Sequence, residues 1–119
     1  MHIVLTKVTS FQMSHPPGSD RMGRLAGHLL DQNNFYPLFP GSDDCNIDYP
    51  HFIKHCFFDH KPDVLVLPSD LRFFVKNVKD TVVVNPGKLA KGAGTFFKMR
   101  VKGGTGKVTE STYVNVVKI

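Results

Sequence analysis

The sequence predicts a mixed α/β domain, with α+β as the alternative arrangement. Three observations point there. Val64-Leu65-Val66-Leu67 and Thr81-Val82-Val83-Val84 are short, unbroken β-prone runs. Met22, Leu25, Ala26, Leu29 and Leu30 recur at the spacing of one helix face. Residues 95–101 alternate, with Phe97, Met99 and Val101 on one side and Lys98 and Arg100 on the other. An unbroken apolar run suits a strand covered on both faces, whereas alternation suits a strand with one face in water.

In chain order, His15-Pro16-Pro17-Gly18-Ser19 breaks regular structure and reads as the nearest thing to a linker. Asp20 or Ser19 then caps a helix that Asn33-Asn34 and Pro37 stop. Gly23 and Gly27 weaken this helix by about 1 kcal/mol each relative to Ala, so it must lean on packing. Phe35-Tyr36-Pro37-Leu38-Phe39-Pro40 is held extended by its prolines and is no interior strand. The first apolar run lies between Pro62-Asp63 and Pro68-Ser69, and the second ends at Asn85-Pro86-Gly87. Gly103-Gly104-Thr105-Gly106 reads as a hairpin loop, and Thr112 to Ile119 returns as the last strand. Two doubly buried strands call for helices on both faces, yet the pattern supplies one good helix, so an incomplete domain is expected. Alone, such a chain is expected to expose apolar strand faces and aggregate.

Composition narrows the class. At 41% hydrophobic residues with ten Phe, the 119-residue chain is too apolar for a disordered polymer. No apolar run approaches the ~20 residues of a membrane helix, and the start, Met1-His2-Ile3-Val4-Leu5, does not read as a secretion signal. Cys45 and Cys56 are too few for a disulfide framework, so a reducing compartment is expected. Charge is asymmetric: residues 1–71 hold five Lys/Arg against eight Asp/Glu, and residues 72–119 hold ten against two. A basic half attracts phosphate or acidic protein, although a solvated strand face carrying Lys is the plainer reading.

Chemical motifs are sparse. Cys45, His51, His55, Cys56 and His60 crowd together, and a helix after Asp48 would put His51 and His55 on one face. Their spacing matches no zinc-finger pattern, and Phe52, Phe57 and Phe58 favour packing instead. Cys45 or Cys56 beside a His is a weak nucleophile candidate. Gly92-Ala93-Gly94-Thr95 runs into a strand rather than a helix, and Gly106-Lys107-Val108 fails the P-loop pattern, so both glycine clusters read as turns.

The most specific stretch runs from Pro62 to Lys76 (Pro-Asp-Val-Leu-Val-Leu-Pro-Ser-Asp-Leu-Arg-Phe-Phe-Val-Lys), followed at residues 82–92 by Val-Val-Val-Asn-Pro-Gly-Lys-Leu-Ala-Lys-Gly. It resembles the C-terminal end of the B subunits of DNA polymerase alpha. The resemblance reaches back through Phe35–Pro40 and Ile47-Asp48-Tyr49 to Ser19-Asp20-Arg21, and forward through Gly94-Thr95-Phe96 to Val114–Ile119. It thus divides the chain into a poorly matched segment, 1–18, and a matched portion, 19–119. Lys88, Ala90, Asn77 and the short glycine segment at 92–94 depart from the family pattern.

The resemblance implies a calcineurin-like metallophosphoesterase sandwich whose metal site has degenerated. Active relatives of that scaffold would follow the strand with Gly-His-x-His; here Pro68-Ser69-Asp70-Leu71 stands in that place. One carboxylate cannot hold a two-metal hydrolytic site. Asn85-Pro86-Gly87 resembles a turn retained for backbone geometry, with Gly87 at positive φ. The implied function is a non-catalytic scaffold for the polymerase alpha–primase complex in the nucleus, acting in initiation of DNA replication without cofactor. It would dock on the C-terminal domain of the catalytic subunit and touch primase indirectly. Lys76, Lys79, Lys88, Lys91 and Arg100 are its candidate phosphate contacts for weak DNA binding. Phe35, Tyr36 and Phe39 are candidate interface anchors, with packing against the core as the expected role. A free-standing nucleic-acid-binding domain on the basic half is the alternative, and an active metal-dependent phosphoesterase ranks third. On either route the chain is expected to be a fragment, a short isoform or a truncated gene model.

Overall fold

A computed structural model describes residues 3–5 (backbone path alone), 20–90, 92–103 and 106–119. The expected linker at 15–19 and the loop residues Gly104 and Thr105 lie outside them. The elements run β1 (Ile3–Leu5), α1 (Arg21–Asp31), α2 (Tyr49–His55), β2 (Val64–Val66), β3 (Phe74–Val78), β4 (Thr81–Asn85), β5 (Thr95–Val101), α3 (Val108–Ser111) and β6 (Thr112–Lys118).

The mixed α/β class holds. One four-stranded sheet has the order β1-β2-β4-β3, and β5 and β6 form a separate two-stranded ribbon. β2 pairs in parallel with both β1 and β4, while β3 returns antiparallel to β4 with Val75 opposite Val84. Val64, Leu65, Val66 and all of β4 are buried. The unbroken apolar runs are therefore doubly covered strands, as their composition requires.

The covering layers differ from expectation. α1 packs Ala26, Leu29 and Leu30 on Leu65, Leu67 and Val83, with Phe58, Phe74 and Val78 around them. The other face, Val64, Val66, Val82 and Val84, is covered by Phe97, Met99, Val108 and Val114. Those belong to the ribbon and to α3, so a second sheet layer does the work assigned to absent helices. An alternating strand pair presents a continuous apolar face and buries a sheet as well as a helix does. The cover stops short of the edge strand, where Val75 remains 41% exposed.

α1 begins where its cap predicts. The Asp20 carboxylate accepts a hydrogen bond from the Gly23 amide at 3.0 Å and pairs with Lys76 on β3. These two interactions, the Lys76 contact first, hold the Asp20 carboxyl below the usual carboxylate range. We expect Asp20→Ala to cost about 1 kcal/mol in denaturant unfolding at pH 7. Because the folded value is depressed, this contribution is complete above the unfolded value near pH 4. It fades as pH falls through the lower folded value, so wild type and variant should converge in acid.

Three elements escaped the sequence pattern, the short β1 among them. β3 carries Lys76 on the packed side and Val75 on the open side, against the usual alternation. Its turn, Lys79-Asp80, has φ of 51° and 60° at the two residues, the geometry of a two-residue I′ hairpin without the customary glycine. The connection from β5 to β6 is not a simple glycine loop either. It contains α3, a single helical turn whose Val108 packs on the core.

Candidate functional site

In open α/β sheets, ligands gather beyond the carboxyl ends of the parallel strands. Here that region is made by Leu67–Leu71 after β2, by Asn85 at the end of β4 and by Pro86–Lys88 after it. Asn85 is fully buried and Ser69 is nearly so. The Asn85 Oδ1 accepts from the Ser69 amide at 3.3 Å and from the Gly87 amide at 2.9 Å. Its Nδ2 faces the Ser69 Oγ at 2.9 Å and the carbonyls of Leu71 and Arg72 at 3.2 and 3.3 Å. The Ser69 Oγ also accepts from the Leu71 amide at 3.3 Å.

Every polar atom of this pair is thus directed at backbone or at its partner side chain. The turn expected at Asn85-Pro86-Gly87 is present, with Gly87 at φ 75°. A Cβ there would come within 2.5 Å of the Thr95 Oγ1, which itself donates to the Pro86 carbonyl at 2.6 Å. The strand end is therefore stitched from β2 through β4 to the start of β5. Outside this lock, Asp70 and Lys88 form an exposed ion pair at 2.7 Å.

The candidate phosphate contacts do not converge. Lys76 pairs with Asp20 at the head of α1, Lys79 with Asp31 at its end, and Lys88 with Asp70. Arg100 lies in the other layer, exposed on β5. Lys91 lies outside the described residues.

The histidine-rich segment is helical and exposed, with no buried residue in α2, so the packing expected of it is partial. His51 and His55 stack with ring centroids 6.2 Å apart, and the His51 Nδ1 bonds the Asp48 carboxylate at 2.7 Å. Among the described residues no three His, Cys, Asp or Glu side chains gather as metal ligands would. Of the aromatic trio, Phe35 packs edge-on against Phe58 at 4.5 Å and the Tyr36 hydroxyl accepts from the Ser42 amide at 3.0 Å. Phe39 does not pack; it is 91% exposed.

Two cations on the ribbon gain partners that the sequence does not announce. The Lys98 ammonium sits 5.8 Å from the Phe96 ring, and that of Lys102 sits 5.5 Å from the ring of Tyr113. Alternation alone places Lys98 and Arg100 on a wet face; the cross-strand register that adds Tyr113 cannot be read from one strand.

Comparison with known proteins gives first a class: the curated relatives are subunits of a DNA polymerase. In particular, they are B subunits of DNA polymerase alpha. That of Schizosaccharomyces pombe is 46% identical over 93 residues, covering 72% of this chain and 16% of the relative. That of Mus musculus is 43% identical over 86 residues (71% and 14%), and that of Drosophila melanogaster 38% over 104 residues (83% and 17%). The shared stretch is homologous to the DNA polymerase alpha B subunits, as the motifs from Ser19 onward lead one to expect. The chain spans about one-sixth of the length of these relatives. No protein-family model matches it.

Proposed function

We propose that this chain acts as a non-catalytic scaffold, the C-terminal portion (19–119) of a polymerase alpha accessory subunit working in the nucleus during initiation of DNA replication. The observation that carries the reading is the Ser69–Asn85 lock: side chains at the strand ends brace backbone instead of facing a substrate. A parallel β2–β4 core between α1 and a second sheet layer is compatible with a metallophosphoesterase-like sandwich whose metal ligands have been replaced. Pro68, Ser69, Asp70 and Leu71 then occupy the place of the lost ligands.

The partner would be the C-terminal domain of the polymerase catalytic subunit, with primase reached through it. Phe39, Ile53 and Tyr49 offer it apolar surface; Tyr49 and Ile53 share one face of α2 and are 51% and 70% exposed. Aromatic and aliphatic anchors of this kind dominate interface energies. In co-purification with the catalytic subunit's C-terminal domain, we expect Phe39→Ser combined with Ile53→Ser to weaken binding at least tenfold. Unfolding should shift by no more than about 0.5 kcal/mol, since both side chains are exposed. Retained binding by the double variant would place the interface elsewhere. Phosphodiesterase turnover with Mn²⁺, abolished by Asp70→Asn, would overturn the scaffold reading.

A further inference from the structure

Among the described residues, two sets of cations in the C-terminal half contrast with each other. Lys76, Lys79, Lys88 and Lys107 each meet an aspartate: Asp20, Asp31, Asp70 and Asp80. Lys98, Arg100 and Lys102 have no carboxylate partner among the described residues. Two of them lie instead against aromatic rings, and the third, Arg100, stands directly across the ribbon from Tyr113. β5 and β6 contain no acidic residue.

The register puts these groups on one surface. Phe96, Lys98 and Arg100 on β5 oppose Val117, Asn115 and Tyr113 on β6, while Phe97, Met99 and Val114 turn inward to the core. An open groove lies along this part of the ribbon, lined by Lys98, Arg100, Lys102, Tyr113 and Asn115 together with Met99 and Val114. Tyr113 is 61% exposed. Alternate residues of a strand lie roughly 6.6–6.8 Å apart, a spacing of the same order as the repeat of an extended nucleic-acid backbone.

We infer that the outer face of the β5–β6 ribbon binds single-stranded nucleic acid. Lys98, Arg100 and Lys102 track successive phosphates, and Tyr113 is the platform on which a base stacks. Cationic tracks interleaved with aromatic rings bind single strands with little sequence preference. A row of cations alone would suit an acidic peptide equally; the exposed ring between Arg100 and Lys102 favours the nucleic acid. The residues of this surface are not those of the apolar reading, Phe39 and Ile53, so the two readings fail independently.

The test is fluorescence anisotropy of a labelled twelve-residue oligothymidylate with the 119-residue chain. Three phosphate contacts give log K a slope of about −2 against log salt, or roughly an 18-fold loss between 50 and 200 mM salt. We expect Lys98→Ala/Arg100→Ala/Lys102→Ala to lose binding at least tenfold and to flatten that slope. Tyr113→Ala should lose roughly five- to a hundredfold with the slope kept, and Tyr113→Phe should bind normally. Lys98→Arg/Lys102→Arg should retain binding, as should Lys76→Ala/Lys79→Ala, whose charges already have partners. Circular dichroism of each variant separates lost binding from lost fold. The inference is overturned if wild type does not bind at 50 mM salt or if the triple variant binds as wild type does. It is also overturned if oligoglutamate competes as well as the unlabelled oligonucleotide and Tyr113→Ala has no effect, the result for an acidic-peptide surface.

Discussion

Asn85→Ala should lower the unfolding free energy by roughly 3–5 kcal/mol, read as a drop in denaturant midpoint at constant slope. The side chain is fully buried, so water cannot replace what it provides. Its loss leaves the amides of Ser69 and Gly87 without their acceptor and removes the donor to the Ser69 hydroxyl and to two carbonyls. Each buried polar group left unpaired costs about 1–3 kcal/mol. Asn85→Asp sharpens the test. It keeps an acceptor for both amides but buries a charge and faces three oxygens, so its folded pKa lies above the unfolded value. That variant should therefore lose stability as pH rises above about 4, the opposite sense to the Asp20 contribution.

Leu65→Ala should cost about 2–5 kcal/mol in the same measurement. Leu65 has no exposed surface, and its cavity would open between β2, Val83 and the Leu29–Leu30 face of α1. The strands on either side cannot collapse into it, because β2 is hydrogen-bonded to both neighbours. Leu65→Met keeps most of the volume and should cost less than about 1.5 kcal/mol. Equal losses for the two variants would mean that α1 is not seated on this face.

Legibility followed locality. α1 was readable because its cap, its apolar face and its stop lie within a few turns of one another. β2 and β4 were readable because strands buried on both sides need no alternation. β3 was hidden because Lys76 occupies the packed side, where its partner is Asp20, 56 residues earlier. The same distance hid the site. Asn85-Pro86-Gly87 announced a turn, yet the bond that makes Asn85 structural comes from Ser69, 16 residues away. Net charge marked the C-terminal half as basic, but only the fold separates Lys76, Lys79, Lys88 and Lys107, paired with aspartates, from Lys98 and Lys102, set against rings. Phe39 sits among packed aromatics in sequence and outside them in space. The second sheet layer was missed for a related reason: one strand's alternation shows that it has an inner face, not what lies under it.

The order β1-β2-β4-β3 also sets how far apart in the chain each pairing must reach. Phe74–Val78 and Thr81–Asn85 are joined by two residues, and Val64 meets Val82 18 positions on, but Ile3 meets Val64 across 61. Ring-closure entropy grows with the logarithm of that separation, so the last junction costs about 1 kcal/mol more than the middle one. It returns the backbone bonds of a strand only three residues long. The hairpin and its parallel neighbour thus close over short loops, and of these three junctions the one to β1 is the seam at which local opening is expected to cost least.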